Sequence, residues 1–324
     1  MDERSALLVD GNNLLYRCAY AVDSGRPWDE VEGRDYRPAY LFFKTLVEAF
    51  ARHGSPAPVV VWDPETGRRF LARRRRDPSY KANRDAEAEH EMMRDFHREV
   101  AQQRAALKDA LALAGCWQAV ASKGWEADDV IATLADRLSS RGRSALVLTN
   151  DRDLFPLIAL DGVRVLGLGA RKHASSGELY EMRDRAWFAD KYPGITPAQW
   201  SEYRALTGDP SDGVKGVNGI GDVWARRILA EHPTAAGAAR AASRATGVFA
   251  KSKKVREAMS KADPDLVENT ARLLDLNHAA PFEWLTRNPD RRGLIRAFKH
   301  MRFRSFLGGT LKRNLTELID VVAA

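Results

Sequence analysis

Three short apolar runs in the first half of the chain each lead into acidic residues, and this arrangement restricts the fold more than any other feature of the sequence. Leu7-Leu8-Val9 runs into Asp10, and Val59-Val60-Val61-Trp62 runs into Asp63. Leu146-Val147-Leu148-Thr149-Asn150 leads to Asp151 and Asp153. Short runs rich in β-branched and aliphatic residues read as buried strands. Strands are expected over 6–9, 58–62, 145–148 and 163–166, with helical periodicity between them. Strands separated by helices imply an α/β fold with a mainly parallel central sheet flanked by helices, whose functional groups gather at the carboxyl ends of the strands. Carboxylates from three strand ends would meet at one edge.

Past residue 184 the strand signal fades, and helices with loops are expected to the end. The division expected is an α/β core over 1–183 and a helical region over 184–324, with 235–245 a plain alanine-rich helix. The 324 residues suffice for one large domain or a core with a smaller appendage. With 44% hydrophobic and 29% charged residues, the composition is that of an ordinary globular protein. No apolar run reaches the ~20 residues of a membrane helix. The opening Met1-Asp2-Glu3-Arg4 is no export signal. Cys18 and Cys116, far apart in apolar surroundings, are expected as reduced buried thiols, and the location as cytoplasmic. The net charge of +7 favours a polyanionic partner.

The segment from Gly124 to Leu134 places Glu126, Asp128 and Asp129 at the start of an amphipathic helix. Acidic residues in a first helical turn are common because they complement the helix dipole, which accounts for one or two of them. Three converging carboxylates repel unless cations neutralise them. Together with Asp10, Asp63, Asp151, Asp153, Asp209 and Asp212 they make nine candidate ligands, with no histidine at ligand spacing. Oxygen-only donors select hard cations such as magnesium or manganese. Two such ions about 4 Å apart activate water and stabilise a leaving oxygen in phosphodiester hydrolysis.

Between Arg68 and Arg84 stand eight basic residues, Arg68, Arg69, Arg73, Arg74, Arg75, Arg76, Lys81 and Arg84, against the single acid Asp77. Such a run is often a solvated face. Its position just after Asp63, with Tyr80 inside it, points instead to a nucleic-acid contact. Farther on, the stretch from Gly213 to Gly221 precedes a helix expected over 222–231. Glycines there permit close backbone approach, and amides at a helix start can hold a phosphate.

The series Leu8-Val9-Asp10-Gly11-Asn12-Asn13, Tyr80-Lys81-Ala82-Asn83-Arg84, Glu126-Ala127-Asp128-Asp129, Asn150-Asp151-Arg152-Asp153-Leu154 and Gly208-Asp209-Pro210-Ser211-Asp212 resembles the flap endonuclease and 5′-nuclease family in its bacterial and phage form. Each motif alone is weak, but five in order and spacing are specific, and the resemblance covers about residues 5 to 310. It implies a PIN-like nuclease core bearing a helical arch over about 64–115, and a helix-three-turn-helix element over about 206–231. By the same match Asp10, Asp63, Glu126 and Asp128 would serve one metal. Asp151, Asp153 and Asp212 would serve the second, with Asp128 or Asp129 between the two and Asp209 nearby. Lys81 and Arg84 would act on the scissile phosphate, Arg73 to Arg76 would contact DNA, and Tyr80 would stack on a base. Gly216, Gly219 and Gly221 would hold a potassium ion and grip duplex DNA beside Lys215, Arg226 and Arg227. The partner implied is branched or 5′-ended DNA, and RNA–DNA hybrid is a further substrate class. A monomer is expected, acting alone or beside a separate DNA polymerase as in phages. Pro156 and Arg152 depart from the family's usual glutamine and lysine without removing a ligand.

Two other readings compete. A PIN-type ribonuclease shares the acidic core but lacks the arginine-rich arch and the glycine-rich element. A catalytically silent binder of branched DNA would keep the basic surfaces and cut nothing.

Overall fold

The computed structural model describes residues 5–22, 31, 33–53, 58–65, 71–84, 91–169 and 180–323. Arg68 and Arg69, at the start of the basic run, lie outside them. The described strands are β1 (Ala6–Asp10), β2 (Val59–Trp62), β3 (Trp117–Ala121), β4 (Ala145–Leu148), β5 (Val163–Leu168), β6 (Tyr180–Arg183) and β7 (Phe282–Trp284), and they form one sheet in the order β6-β5-β4-β1-β2-β3-β7. The five inner strands are parallel, and β6 and β7 close the two edges antiparallel. The period-two alternation of a strand sorts the apolar side chains between two cores. Leu8, Val61 and Val147 point to one face, and Leu7, Val9, Val60 and Leu148 to the other.

Helices α1 (Gly11–Ala21), α2 (Arg37–His53), α3 (Ala72–Arg76), α4 (Glu91–Leu113) and α5 (Ala127–Ser139) belong to the first half. Phe42, Phe43, Leu46 and Phe50 of α2 recur at helical spacing and pack on the face carrying Leu7 and Val9. Each such fully buried side chain contributes about 1.5–3 kcal/mol. Val130 and Ile131 of α5 cover the opposite face. The same core takes in α6 (Arg185–Lys191), α7 (Trp200–Thr207), α8 (Asp222–Glu231), α9 (Ala235–Ala241), α10 (Lys253–Lys261) and α11 (Pro264–Leu274). The chain then returns through β7, and α12 (Arg291–His300) and α13 (Gly309–Ala323) pack back on the α2 face.

The four expected strands are present. Three others escape the sequence pattern, each for a physical reason. In β3 the apolar run is broken by Gln118, whose buried amide accepts from Trp62 Nε1 at 3.0 Å and donates to the Lys108 carbonyl at 2.9 Å. β6 is a polar edge strand, Tyr-Glu-Met-Arg. β7 has only three residues, so the expectation of helices and loops alone beyond residue 184 misses it. Cys18 and Cys116 are free and buried, and burial pushes both thiols up to about 12. Among the described residues no helix is long and apolar enough to cross a membrane.

Candidate active site

The carboxyl ends of β1, β2 and β4 open into a cleft of about 1050 Å³ lined by Asp10, Asp63, Glu126, Asp128 and Asp151. Asp10 caps α1 by accepting from the Asn13 amide at 3.0 Å and also takes the Thr149 hydroxyl at 2.9 Å. Asp63 accepts from the Ala127 amide at 2.8 Å and from the Asn12 side chain. Asp151 accepts from the Asp153 amide at 3.0 Å, and Asp128 stands in the first turn of α5. Burial, then the charges of Asp151 and Asp63, push Asp10 up to about 7. Burial first, then Asp151 and Asp10, hold Asp128 well above the usual carboxylate range, and burial likewise raises Asp63. Like charges crowded in a low-dielectric crevice ionise together only when cations join them.

A second group lies beside the first. One oxygen each from Asp153, Asp209 and Asp212 fall within 4.8 Å of one another. Asp209 caps the turn 210–212, accepting from the Ser211 amide at 3.0 Å, and its backbone pairs with Val214. Arg204 of α7 pairs with Asp153 at 3.2 Å and with Asp209. Arg84 pairs with Asp212, whose other oxygen is buried without a hydrogen bond and faces Lys81 Nζ at 3.7 Å. Burial and the neighbouring Asp151 push Asp153 up to about 6. Asp151 thus perturbs carboxylates of both groups.

The basic segment forms the wall between them. The Lys81 amide donates to the Asp212 carbonyl at 2.8 Å, and Asn83 and Arg84 donate to the Ser211 carbonyl at 3.2 and 3.1 Å. Lys81 is buried and holds a φ of 55°, a left-handed conformation that costs a non-glycine residue about 1–2 kcal/mol. Its ammonium donates to Glu126 at 2.5 Å. Burial alone would raise Glu126, but Lys81 and Arg73 outweigh it and hold that carboxyl at about 2.

Several placements differ from the sequence expectation. Arg73 lies inside rather than on a DNA-facing surface. Its guanidinium donates to Glu126 at 2.6 Å, to both oxygens of Asp129, and to the carbonyls of Leu273 and Asp275. Asp129 is turned from the cleft by the rotation of α5 and also accepts from the Asn277 amide at 3.0 Å, so Asp128 is the member of that pair that lines the cleft. Tyr80, expected to stack on a base, is buried with its hydroxyl 3.4 Å from Glu126. Arg74 donates to the Tyr80 carbonyl, while Arg75 and Arg76 are exposed.

The glycine-rich loop sits on the same sheet face as α5. A Cβ on Gly216 would come within 2.4 Å of the Gly208 nitrogen, so Gly216 serves close packing inside the loop. Gly219 has a φ of +85°, and Gly221 opens onto free space at the start of α8. Lys215 is exposed, Arg227 lies over the Trp224 ring at 5.0 Å, and Arg226 is paired with Asp222 at 2.6 Å. The cleft also holds residues that the sequence motifs do not include: Tyr16 from α1, and His97 and Arg104 from α4. A signal for the α4 pair is present in the sequence, since Met93, His97, Val100 and Arg104 recur at helical spacing on one stripe. Arg204 gives none, because its role depends on residues brought together only by the fold.

Two family models match the chain. The model described as 5′-3′ exonuclease, N-terminal resolvase-like domain, covers residues 5–192, and the 5′-3′ exonuclease, C-terminal SAM fold, covers residues 195–292. The chain belongs to the 5′-3′ exonuclease family. The thermostable DNA polymerase I of Thermus thermophilus is 35% identical over 225 residues, 69% of this chain and 24% of that protein. DNA polymerase I of Synechocystis is 34% identical over 231 residues, 70% of this chain and 22% of that protein. The chain therefore spans about a quarter of the length of these curated relatives. Among solved structures, T5 5′-exonuclease with bound zinc aligns at a TM-score of 0.65 with 17% identity, covering 98% of this chain and 100% of that one. Flap endonuclease-1 from Methanococcus jannaschii aligns at 0.60 with 14% identity, covering 99% and 93%. These likenesses establish a shared fold. For a chain of the 5′-3′ exonuclease family, the all-oxygen donor set and the unbonded buried oxygen of Asp212 suit a divalent cation.

Proposed function

We propose that the chain is a structure-specific 5′-nuclease, with flap endonuclease and 5′-3′ exonuclease action, that hydrolyses DNA phosphodiesters near the junction of a 5′ single strand with a duplex. The observation that carries this reading is the convergence of Asp10, Asp63, Asp128 and Asp151 in one cleft whose wall supplies Lys81 and Arg84. Asp10, Asp63, Asp128 and Glu126 would hold one divalent cation, and Asp151, Asp153, Asp209 and Asp212 a second. When bound, such ions supply a reactive hydroxide at neutral pH and neutralise charge on the transferring phosphate. Lys81 and Arg84 add fixed positive charge where the phosphate gains charge in the transition state. The residues around Gly219 and Gly221, with exposed Lys215 and Arg227, would grip duplex DNA and offer carbonyls to a potassium ion. Replication or repair is the setting this chemistry serves, with magnesium or manganese as the ion, in a monomer acting alone or with a DNA polymerase, and RNA–DNA hybrid is included among the substrates.

The test is cleavage of a 5′-labelled flap duplex. Activity is expected to vanish with excess EDTA and return with magnesium or manganese, and full activity in chelator would refute the metal role. Binding of the ion should also depend on pH with a defined sign. Asp10 at about 7 and Asp153 at about 6 keep their protons below those values, and a ligand must lose its proton to coordinate. Manganese affinity measured by calorimetry should fall as pH drops from about 8 to about 5.5, by about tenfold per unit for each proton displaced. Equal affinity at both ends would place the ion elsewhere.

A further inference from the structure

The two carboxylate groups of the cleft are compensated in different ways. Asp10 and Asp63 accept from neutral donors: the Asn13 and Ala127 amides, the Thr149 hydroxyl and the Asn12 side chain. Asp153, Asp209 and Asp212 are met by guanidiniums instead. Arg204 pairs with Asp153 at 3.2 Å and with Asp209, and Arg84 pairs with Asp212.

These two arginines are not held alike. Arg84 belongs to the basic wall of the cleft and has 34% of its side chain exposed. Arg204 stands on α7, whose Trp200, Tyr203, Ala205 and Leu206 are buried in the core. Its guanidinium lies 5.8 Å from the centre of the Trp200 ring, one helical turn back, and its side chain is only 13% exposed. A packed helix and an aromatic face thus fix one positive charge among the acids. That charge also occupies oxygens. One oxygen of Asp209 accepts from the Ser211 amide at 3.0 Å and from its hydroxyl at 2.6 Å, while the other faces Arg204. Asp153 commits an oxygen to Arg204, whereas Asp212 keeps one oxygen that is buried without a hydrogen bond. An ion entering beside Asp212 therefore reaches Asp209 only if Arg204 withdraws, and otherwise shares Asp153 with it.

From this juxtaposition we infer that Arg204 is a built-in counter-ion, a positioning residue that competes with the second divalent cation for Asp153 and Asp209 and keeps that ion weaker than the first. This rests on the two-cation nuclease reading and deepens it. The second site fills fully only when the phosphate of bound DNA adds its own negative charge, which ties the complete pair of ions to the presence of substrate.

The experiment titrates metal-free protein, without DNA, with manganese chloride by calorimetry. Wild type should bind one ion tightly and a second at least ~10-fold more weakly. Arg204→Met keeps the length and the contact with Trp200 but carries no charge. It should tighten the second ion at least ~10-fold, the effect of one unit charge a few ångströms from a divalent ion even at the dielectric constant of water, and leave the first within about threefold. Arg204→Lys, which keeps the charge, should stay within about threefold of wild type at both sites. In EDTA, Arg204→Met should melt below wild type, because the acids have lost a counter-ion, and saturating manganese should raise its melting temperature by more than it raises that of wild type. A second ion detected only in Arg204→Met supports the proposal equally. If that variant does not fold, Arg204→Gln, a neutral donor, gives the same readout, and failure of both to fold even with manganese makes Arg204 structural and overturns the proposal. Two ions of equal affinity in wild type, or a second ion no tighter in the neutral variant, also overturns it and leaves the nuclease reading intact. Wild-type protein that binds no manganese would instead remove the metal reading on which the proposal rests.

Discussion

Asp151→Asn is expected to reduce the single-turnover cleavage rate by about 1000-fold, the upper end of what losing one electrostatic stabiliser costs. Asp151 lines the cleft, and its charge raises Asp10, Asp128 and Asp153, so it stands between the two carboxylate groups. Asparagine keeps an oxygen to accept from the Asp153 amide, and the cap survives. Binding to flap DNA in EDTA should stay within about tenfold, since phosphate contacts elsewhere supply most of the affinity. Metal-free protein should melt at a higher temperature than wild type, because a like charge has left a crowded crevice. If the variant instead loses folding and binding together, Asp151 is structural.

Lys81→Ala is expected to lower the rate at saturating enzyme by about 100- to 1000-fold while the dissociation constant changes little. Its ammonium lies between Glu126 and Asp212, one carboxylate from each metal group, so its charge counts most when the phosphate between those groups gains charge. A basic arm that only attracts DNA would show the reverse, weaker binding with a normal saturated rate. Arg73→Ala separates structure from chemistry. Removing one partner of a buried ion pair typically costs about 3–5 kcal/mol, and Arg73 compensates both Glu126 and Asp129. Its removal leaves Asp129 without its cation and should appear first in urea denaturation, whereas Lys81→Ala leaves Glu126 paired with Arg73 and should appear first in the rate.

Much of the fold and of the cleft is legible in the amino-acid order. The inner strands β1, β2 and β4 announce themselves as unbroken apolar runs because both faces of a parallel sheet are buried, and β5 is interrupted by exposed Arg164. The acids that follow three of them had to reach the cleft, since the chain leaves each strand at that edge. What cannot be read is orientation within an element. Glu126, Asp128 and Asp129 lie within four positions, yet Asp128 lines the cleft while Asp129 is held away by an arginine more than fifty residues distant. The arginine-rich run looks uniform in sequence. Only the fold separates half-buried Arg73 from exposed Arg75 and Arg76, because the carboxylates and carbonyls that draw Arg73 inward come from the start of α5 and from the end of α11. Tyr80 is buried because the fold packs its ring with Leu71 and with Leu273, which is far away in sequence.

If this cleft cuts a 5′-ended strand at a junction, the position of the cut shows it most directly. The decisive measurement is a product map of a flap duplex labelled at either end of the flap strand, run beside nicked and all-RNA duplexes with magnesium present. Cuts are expected to cluster where the single strand meets the duplex, leaving 5′-phosphate and 3′-hydroxyl ends, with wild type active and Asp151→Asn silent. Cuts scattered along RNA irrespective of the junction, or no metal-dependent cutting of the flap at all, would contradict the nuclease reading.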